Sequence, residues 1–392
     1  MGCDSNSSNA TAPSRAISPG AESLDAAAIA RQTTIDPRIP NLVPGFDAPF
    51  FQAGLAGYSD AAMRIVARRL GCPFCVTEAL LDRTLLAGGR GFAKADLGEL
   101  HDNVPGGVED HPLAGQIMGC DPDEMAAAAR KMIERNAQAD AAFQAIDVNL
   151  ACPVKKIRTK ARGGHWLREP DGAIEILRAV REAVPASIPV TVKMRRAFDD
   201  SPEAEARFYT IFDAAYELGC AWVTVHGRSV EQKYVGPSRW TFLRDLVRAR
   251  PDRIIFGSGD VWNVHEIFRM IHYTGVHAVS VARGCIGNPW IFRQARQMMA
   301  GRPPLRPTIA EQRDVLLQHF QLSAAVNGER QASFLMRKFG IRFATHHPDG
   351  ESVRLRMIAI KSLDDWRAVL DEHYGEEAIA REAEAPAALA TA

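Results

Sequence analysis

From about residue 50 to residue 281, short β-rich runs alternate with stretches of helical period, and this rhythm constrains the fold more than any other feature. The runs are Phe50–Ala53, Phe74–Thr77, Ala114–Met118, Ala145–Val148, Val190–Val192, Trp222–Val225, Ile254–Phe256 and Ala278–Val281. Between them the apolar spacing predicts helices over Asp60–Leu70, Asp123–Asn136, Asp171–Val184, Glu203–Leu218, Ser238–Val247 and Val264–Thr274. Asp60, Asp171 and Ser238 are residue types that cap helix N-termini, and Gly71 and Gly219 stand where helices end. Eight strands with helical crossovers over about 250 residues predict an α/β protein built as a (β/α)8 TIM barrel. A doubly wound open sheet is the competing architecture, but no strand leads into a Gly-x-Gly-x-x-Gly turn.

A barrel of this kind carries its reactive groups at the C-terminal ends of its strands. Those ends read Gly54-Leu55, Glu78, Gln116, Asn149 with Cys152, Lys193 with Arg195, His226 with Arg228, Ser258-Gly259-Asp260 and Arg283-Gly284. The opposite loops, such as Gly71-Cys72-Pro73 and Gly219-Cys220-Ala221, hold no comparable set. The last two strands end in small-residue turns whose amides can approach an anion, and Arg283 adds a possible bidentate clamp. With Lys193 and His226 in the same ring, a phosphorylated cofactor is the expectation.

The run Asp147-Val148-Asn149-Leu150-Ala151-Cys152-Pro153-Val154-Lys155-Lys156 sets a thiol between a strand end and two ammonium groups. Two readings stand: a Cys acid beside a nucleic-acid backbone, or a buried structural Cys followed by a solvated loop. The loop continues with Arg158, Lys160, Arg162 and Arg168 against the single acid Glu169. It is a local basic patch on a chain with 47 Lys and Arg, 47 Asp and Glu, and no net charge. A polyanion partner would therefore be held by this patch rather than by a global field.

Seven scattered cysteines in a 392-residue chain argue against a disulfide framework and for a reducing compartment, so cytoplasm is the expected location. Cys72-Pro73-Phe74-Cys75 has redox spacing but no second pair for zinc, and no metal site is expected. No apolar run reaches membrane-spanning length. Residues 1–37 read as a disordered leader, 38–305 as the catalytic barrel that would hold the phosphorylated cofactor, 306–375 as a helical RNA-binding domain and 376–392 as a flexible tail. A monomer is expected.

Taken together, Ala53-Gly54-Leu55-Ala56-Gly57-Tyr58-Ser59-Asp60, Thr77-Glu78, Asp147 through Lys156, Val192-Lys193-Met194-Arg195, His226-Gly227-Arg228 and Arg283 through Phe292 resemble the dihydrouridine synthase family. The branch with a Cys-Pro-Val-Lys-Lys motif is the most similar. The likeness runs in order from about residue 46 to residue 370, and Arg337-Lys338 fits it as well. It implies reduction of uridine in tRNA by FMN, with NADPH or NADH as electron donor. It further implies FMN contacts from Gly54, Leu55, Gln116, Asn149, Lys193, His226, Ser258, Gly259, Asp260, Arg283 and Gly284, with Cys152 as general acid. RNA contacts are implied for Lys155, Lys156, Arg158, Arg195, Arg337 and Lys338. The family pattern has Pro-Met at Gly54-Leu55, Gly at Ala151, Asn at Ser258, and small or aliphatic residues at His165-Trp166.

The chemistry suits these residues. Saturating the uracil C5=C6 bond needs a hydride at C6 and a proton at C5. A reduced flavin supplies the first, and a thiol of pKa roughly 8.5 can supply the second. Lys155 and Lys156 are expected to lower that pKa somewhat. Two rival functions remain open: an FMN barrel oxidoreductase acting on a free ring, and a non-catalytic RNA-binding relative.

Overall fold

The computed structural model describes residues 23–87, 107–137, 143–154 and 163–384. Eight parallel strands close into a barrel: β1 (Phe50–Gln52), β2 (Cys75–Val76), β3 (Leu113–Met118), β4 (Ala145–Leu150), β5 (Val190–Arg195), β6 (Val223–His226), β7 (Ile255–Ser258) and β8 (Ala278–Val281). Closure comes from β1, which pairs with β8 on one side and β2 on the other. Leu80–Leu81, a short strand absent from the sequence expectation, pairs with β3 at Ile117–Met118 and so continues β2 after a break at Thr77–Ala79.

Side-chain alternation makes the barrel amphipathic in an unusual sense. On β5, Val190, Val192 and Met194 face the helices and join the outer core, which leaves Thr191, Lys193 and Arg195 for the interior. On β4, Ile146, Val148 and Leu150 pack outward, leaving Asp147 and Asn149 inside. The lower interior is an aromatic plug of Phe51, Phe74, Trp222 and Phe256, with Phe46 stacked on Phe74 at 4.7 Å. Each such ring contributes about 1.5–3 kcal/mol on burial, and together they seal one end of the barrel.

The helices follow the predicted spans with small shifts. Asp60 caps Ala61–Arg69 through its carboxylate, as expected. The helix Trp240–Ala249 begins after Arg239 rather than at Ser238, and Pro170–Ala183 begins after Glu169 rather than at Asp171. Residues 23–37, part of the expected leader, are structured. Asp25 caps a helix, Ala26–Gln32, whose Ala26 and Ala30 are buried, and Ile39 and Val43 join the aromatic plug. Small alanines let that helix sit close against Val264–Thr274 and Trp290–Met299. The tail likewise continues as the helix Glu376–Glu384, with Ala378 buried and Glu382 accepting the Ile309 N–H at 2.6 Å.

After the barrel, helices Ile309–Asn327, Glu329–Phe343, Gly350–Ala359 and Leu363–Tyr374 pack against one another. The first of them lies on Ala61–Arg69 of the barrel. Trp290 meets Phe343 edge-on at 5.1 Å, and a Cβ at Gly287 would fall 2.4 Å from Arg342. The helical part is thereby held closely to the strand-end face. No helix among the described residues is long and apolar enough to cross a membrane.

Candidate active site

The inward residues of β3, β4 and β5 form one hydrogen-bonded chain. Thr191 Oγ1 donates to Asp147 Oδ1 at 2.5 Å, and Gln116 Nε2 donates to Asp147 Oδ2 at 2.7 Å. Asn149 Nδ2 donates to Gln116 Oε1 at 2.7 Å, while Asn149 Oδ1 accepts the N–H groups of Ala151 and Cys152 at 2.9 and 3.1 Å. The registers Gln116↔Asp147↔Thr191 and Asn149↔Lys193 create this alignment. Asp147 and Thr191 carry the chain, and neither stands out as a site residue in the sequence. Burial raises the Asp147 carboxyl, against the pull of its two hydrogen bonds and of Lys193.

Cys152 is partly buried at the head of this chain. Burial raises its thiol above the ordinary value, opposed by the Val154 N–H and by the charges of Arg195 and Lys193. The expected lowering by Lys155 and Lys156 falls on residues outside the described ones, and Arg158 lies outside them too.

Lys193 is brought down to about 8 by burial, with Arg195 adding to the effect and Asp147 opposing it. His226 is pushed well below its ordinary value by burial and by four nearby cations, so its ring is neutral. Its Nδ1 accepts the Arg228 N–H at 3.1 Å, which leaves the ring proton on Nε2. Arg283 lies between two rings, 4.8 Å from Tyr234 and 4.6 Å from Trp262.

Other expected site residues have internal partners. Arg195 donates to the carbonyls of Ala151, Ser229 and Lys233, so it ties the Cys152 segment to the loop after β6 rather than reaching outward. The Asp260 carboxylate is paired with Arg228 at 2.7 Å and accepts the Ser238 N–H, so its side chain is held within the protein. Ser258 Oγ turns toward the Ser280 carbonyl at 3.4 Å. Arg337 donates to Ile360 O. Lys338 donates to Gly57 O and lies 5.0 Å from the Tyr58 ring, while Glu78 accepts the Gly57 N–H at 2.7 Å. Both Lys338 and Glu78 therefore shape the loop after β1.

A phosphorylated flavin of the kind the sequence resemblance implies fits this donor set. Beneath these groups a void of about 10 Å³, room for one water, is lined by Gly54, Gln116, Asp147, Lys193, Thr224 and Ser280 above the aromatic plug. Ser280 Oγ is buried there with no hydrogen-bond partner among the described residues. Three glycines keep the rim close: a Cβ would come 2.2 Å from Thr77 O at Gly54, 2.3 Å from Ser238 Oγ at Gly259 and 2.1 Å from Val261 O at Gly284. At Gly54 this backbone thus leaves no room for a side chain. Trp166 donates to Gly119 O at 3.1 Å and packs over Gly172; its change from the family pattern is a wall residue. Among the described residues no group of His, Cys, Asp or Glu is placed to hold a metal ion.

A closed parallel barrel with a partly buried thiol, a neutral histidine and a lysine at its strand ends defines an α/β-barrel protein with a polar mouth. The sequence matches the dihydrouridine synthase family over residues 51–379, and the chain belongs to that family. It is 31% identical over 305 residues to tRNA-dihydrouridine synthase B of Xanthomonas campestris pv. campestris, covering 77% of this chain and 85% of that one. It is also 31% identical over 335 residues to a probable tRNA-dihydrouridine synthase of Mycobacterium tuberculosis, covering 84% of this chain and 82% of the other. Among solved structures, histamine dehydrogenase from Rhizobium sp. 4-9 aligns with a TM-score of 0.48 at 13% identity, over 86% of this chain and 63% of that one.

Proposed function

We propose that the chain reduces the C5=C6 bond of uridine in tRNA with bound FMN, using NADPH or NADH as electron donor. The observation that carries this reading is Cys152: a thiol kept protonated by burial, its backbone held by Asn149 at the end of the Thr191–Asp147–Gln116 chain. When bound, the flavin supplies the hydride to C6. Cys152 Sγ delivers the proton to C5, and the thiolate left behind lies in the field of Arg195 and Lys193. Lys193 offers positive charge to the flavin ring, and His226 offers its Nε2–H. Gly259, Gly284 and Arg283 suit the phosphate. The target base would leave its stack to reach this mouth, with the basic loop and the helical part gripping the backbone. The family membership and the tRNA named for both relatives support the substrate class.

The test is incubation of the purified full chain with NADPH or NADH and tRNA lacking dihydrouridine. Expected are a flavin absorption band and one dihydrouridine formed per nicotinamide oxidised in excess of the RNA-free rate. A colourless protein, or turnover on free uracil but not on tRNA, would overturn the reading.

A further inference from the structure

We infer that the cleft beside Cys152 binds the nucleotide next to the reduced uridine in the RNA strand, an inference that rests on the proposed action on tRNA. The cleft opens to solvent and is lined by Pro153, His165, Arg168, Phe198, Val230, Glu231 and Lys233. It shares a wall with the active site, because Pro153 follows Cys152 and the Cys152 carbonyl accepts the Gly164 N–H at 2.9 Å. Its far wall is fixed too. The N–H groups of Val230 and Glu231 donate to the carbonyls of Ala197 and Phe198, joining the loop after β6 to the segment after β5.

The floor is built from planar groups. Phe198 is 4% exposed, and the Arg168 guanidinium carbon lies 3.8 Å from its ring centroid. The guanidinium therefore covers the ring and turns its own outer face to the cleft. The His165 ring stands 5.6 Å from Phe198, and its position is set by Trp166, anchored in the wall behind it. Aromatic rings and guanidinium planes are the surfaces on which unpaired bases stack, and they tolerate any base because every base has a π face. Arg168 and Lys233 bring the positive charge that a phosphate needs. The opposing acid, Glu231, approaches Arg168 at only 3.6 Å, with both side chains more than half exposed, a pairing that contributes little in water. A free uracil would leave this cleft unused, whereas a strand threaded past Cys152 would lay its next nucleotide there.

The test uses the full chain and unmodified tRNA transcripts carrying one abasic residue immediately 5′ or 3′ of the uridine the wild type reduces. Wild type is compared with the double variant His165→Ala/Arg168→Ala, whose flavin content and rate of flavin reduction by the nicotinamide should match wild type. The wild type should lose about 5- to 150-fold in kcat/KM for one of the two abasic transcripts, the range of base-stacking contributions. The variant should show a similar loss on the intact transcript and no further loss on that abasic one. Wild-type indifference to both abasic positions, or a variant that keeps the wild-type sensitivity, would overturn the inference. Absence of dihydrouridine with wild type and the intact transcript would instead remove the proposed function, and with it the inference, before any substitution is made.

Discussion

Asn149 Oδ1 accepts the backbone N–H of Cys152 at 3.1 Å, so the last inward side chain of β4 sets the position of the thiol three residues on. The same amide donates to Gln116. A displacement of the barrel interior would therefore be felt at the sulfur.

Replacing Cys152 with Ala should leave flavin binding and its reduction by nicotinamide intact and lower dihydrouridine formation about 100- to 10,000-fold, the usual contribution of a general acid. Because burial raises the thiol's pKa, the acid form persists through neutral pH. Wild-type turnover should fall only on the alkaline side, as pH rises through that raised value. Single-turnover assays across pH check both points, and equal rates for wild type and variant would rule out Cys152 as the proton donor.

Lys193 holds a partly buried positive charge inside the barrel. Lys193→Met should make the bound flavin harder to reduce, since negative charge on the reduced ring loses its partner. Charge-assisted hydrogen bonds contribute about 1.5–3 kcal/mol, which for two electrons is roughly 30–60 mV toward negative potential. Spectroelectrochemical titration reads this shift directly; an unmoved potential would place Lys193 away from the flavin ring.

His319 is buried against Phe339 at 4.3 Å, and burial lowers it from 6.5 to about 4. The unfolded chain takes up its proton below about pH 6.5 while the folded chain does not. Stability contributed by the neutral ring is thus present above pH 6.5 and lost as pH falls toward 4, at about 1.4 kcal/mol per pH unit. Urea denaturation at several pH values should show this slope in wild type and a shallower one in His319→Leu. Identical slopes would mean that the ring takes up its proton without leaving the folded interior.

The basic loop should grip the RNA backbone. Changing Lys155, Lys156 and Arg158 to Ala should weaken tRNA binding and flatten its dependence on salt, by roughly 0.7 to 0.9 in slope for each phosphate left without its cation. Flavin reduction should be unaffected. Binding measured at several salt concentrations decides the matter: parallel lines for wild type and variant would make the loop a solvated face.

The barrel is legible in the sequence because strand burial leaves a local trace. Val190, Val192 and Met194 alternate with Thr191, Lys193 and Arg195, so one short run announces both a covered outer face and a polar interior. The position of reactive groups at strand ends then points to Gln116, Asn149, Lys193 and His226, which the closed sheet does bring to one cavity and its rim. Asp147 escapes such a reading because a single acid in an apolar strand has no local partner; Thr191 and Gln116 reach it only across strands. Arg195 and Lys338 look like outward cations for a related reason. Sequence shows a charge but not the carbonyls that will surround it.

Periodicity and residue type at strand ends are enough to set the order of elements, the closed parallel barrel and the chemical groups at its mouth. Tertiary structure alone decided which groups became partners and in what protonation state. The thiol of Cys152 is raised and the ring of His226 is held neutral because desolvation depends on everything packed around a group. Likewise the cleft of His165, Arg168 and Phe198 exists only because loops after three different strands meet there. Neighbours along the chain are fixed by covalent bonds, but neighbours in space are fixed by closure of the sheet, and it is the second set that tunes a site.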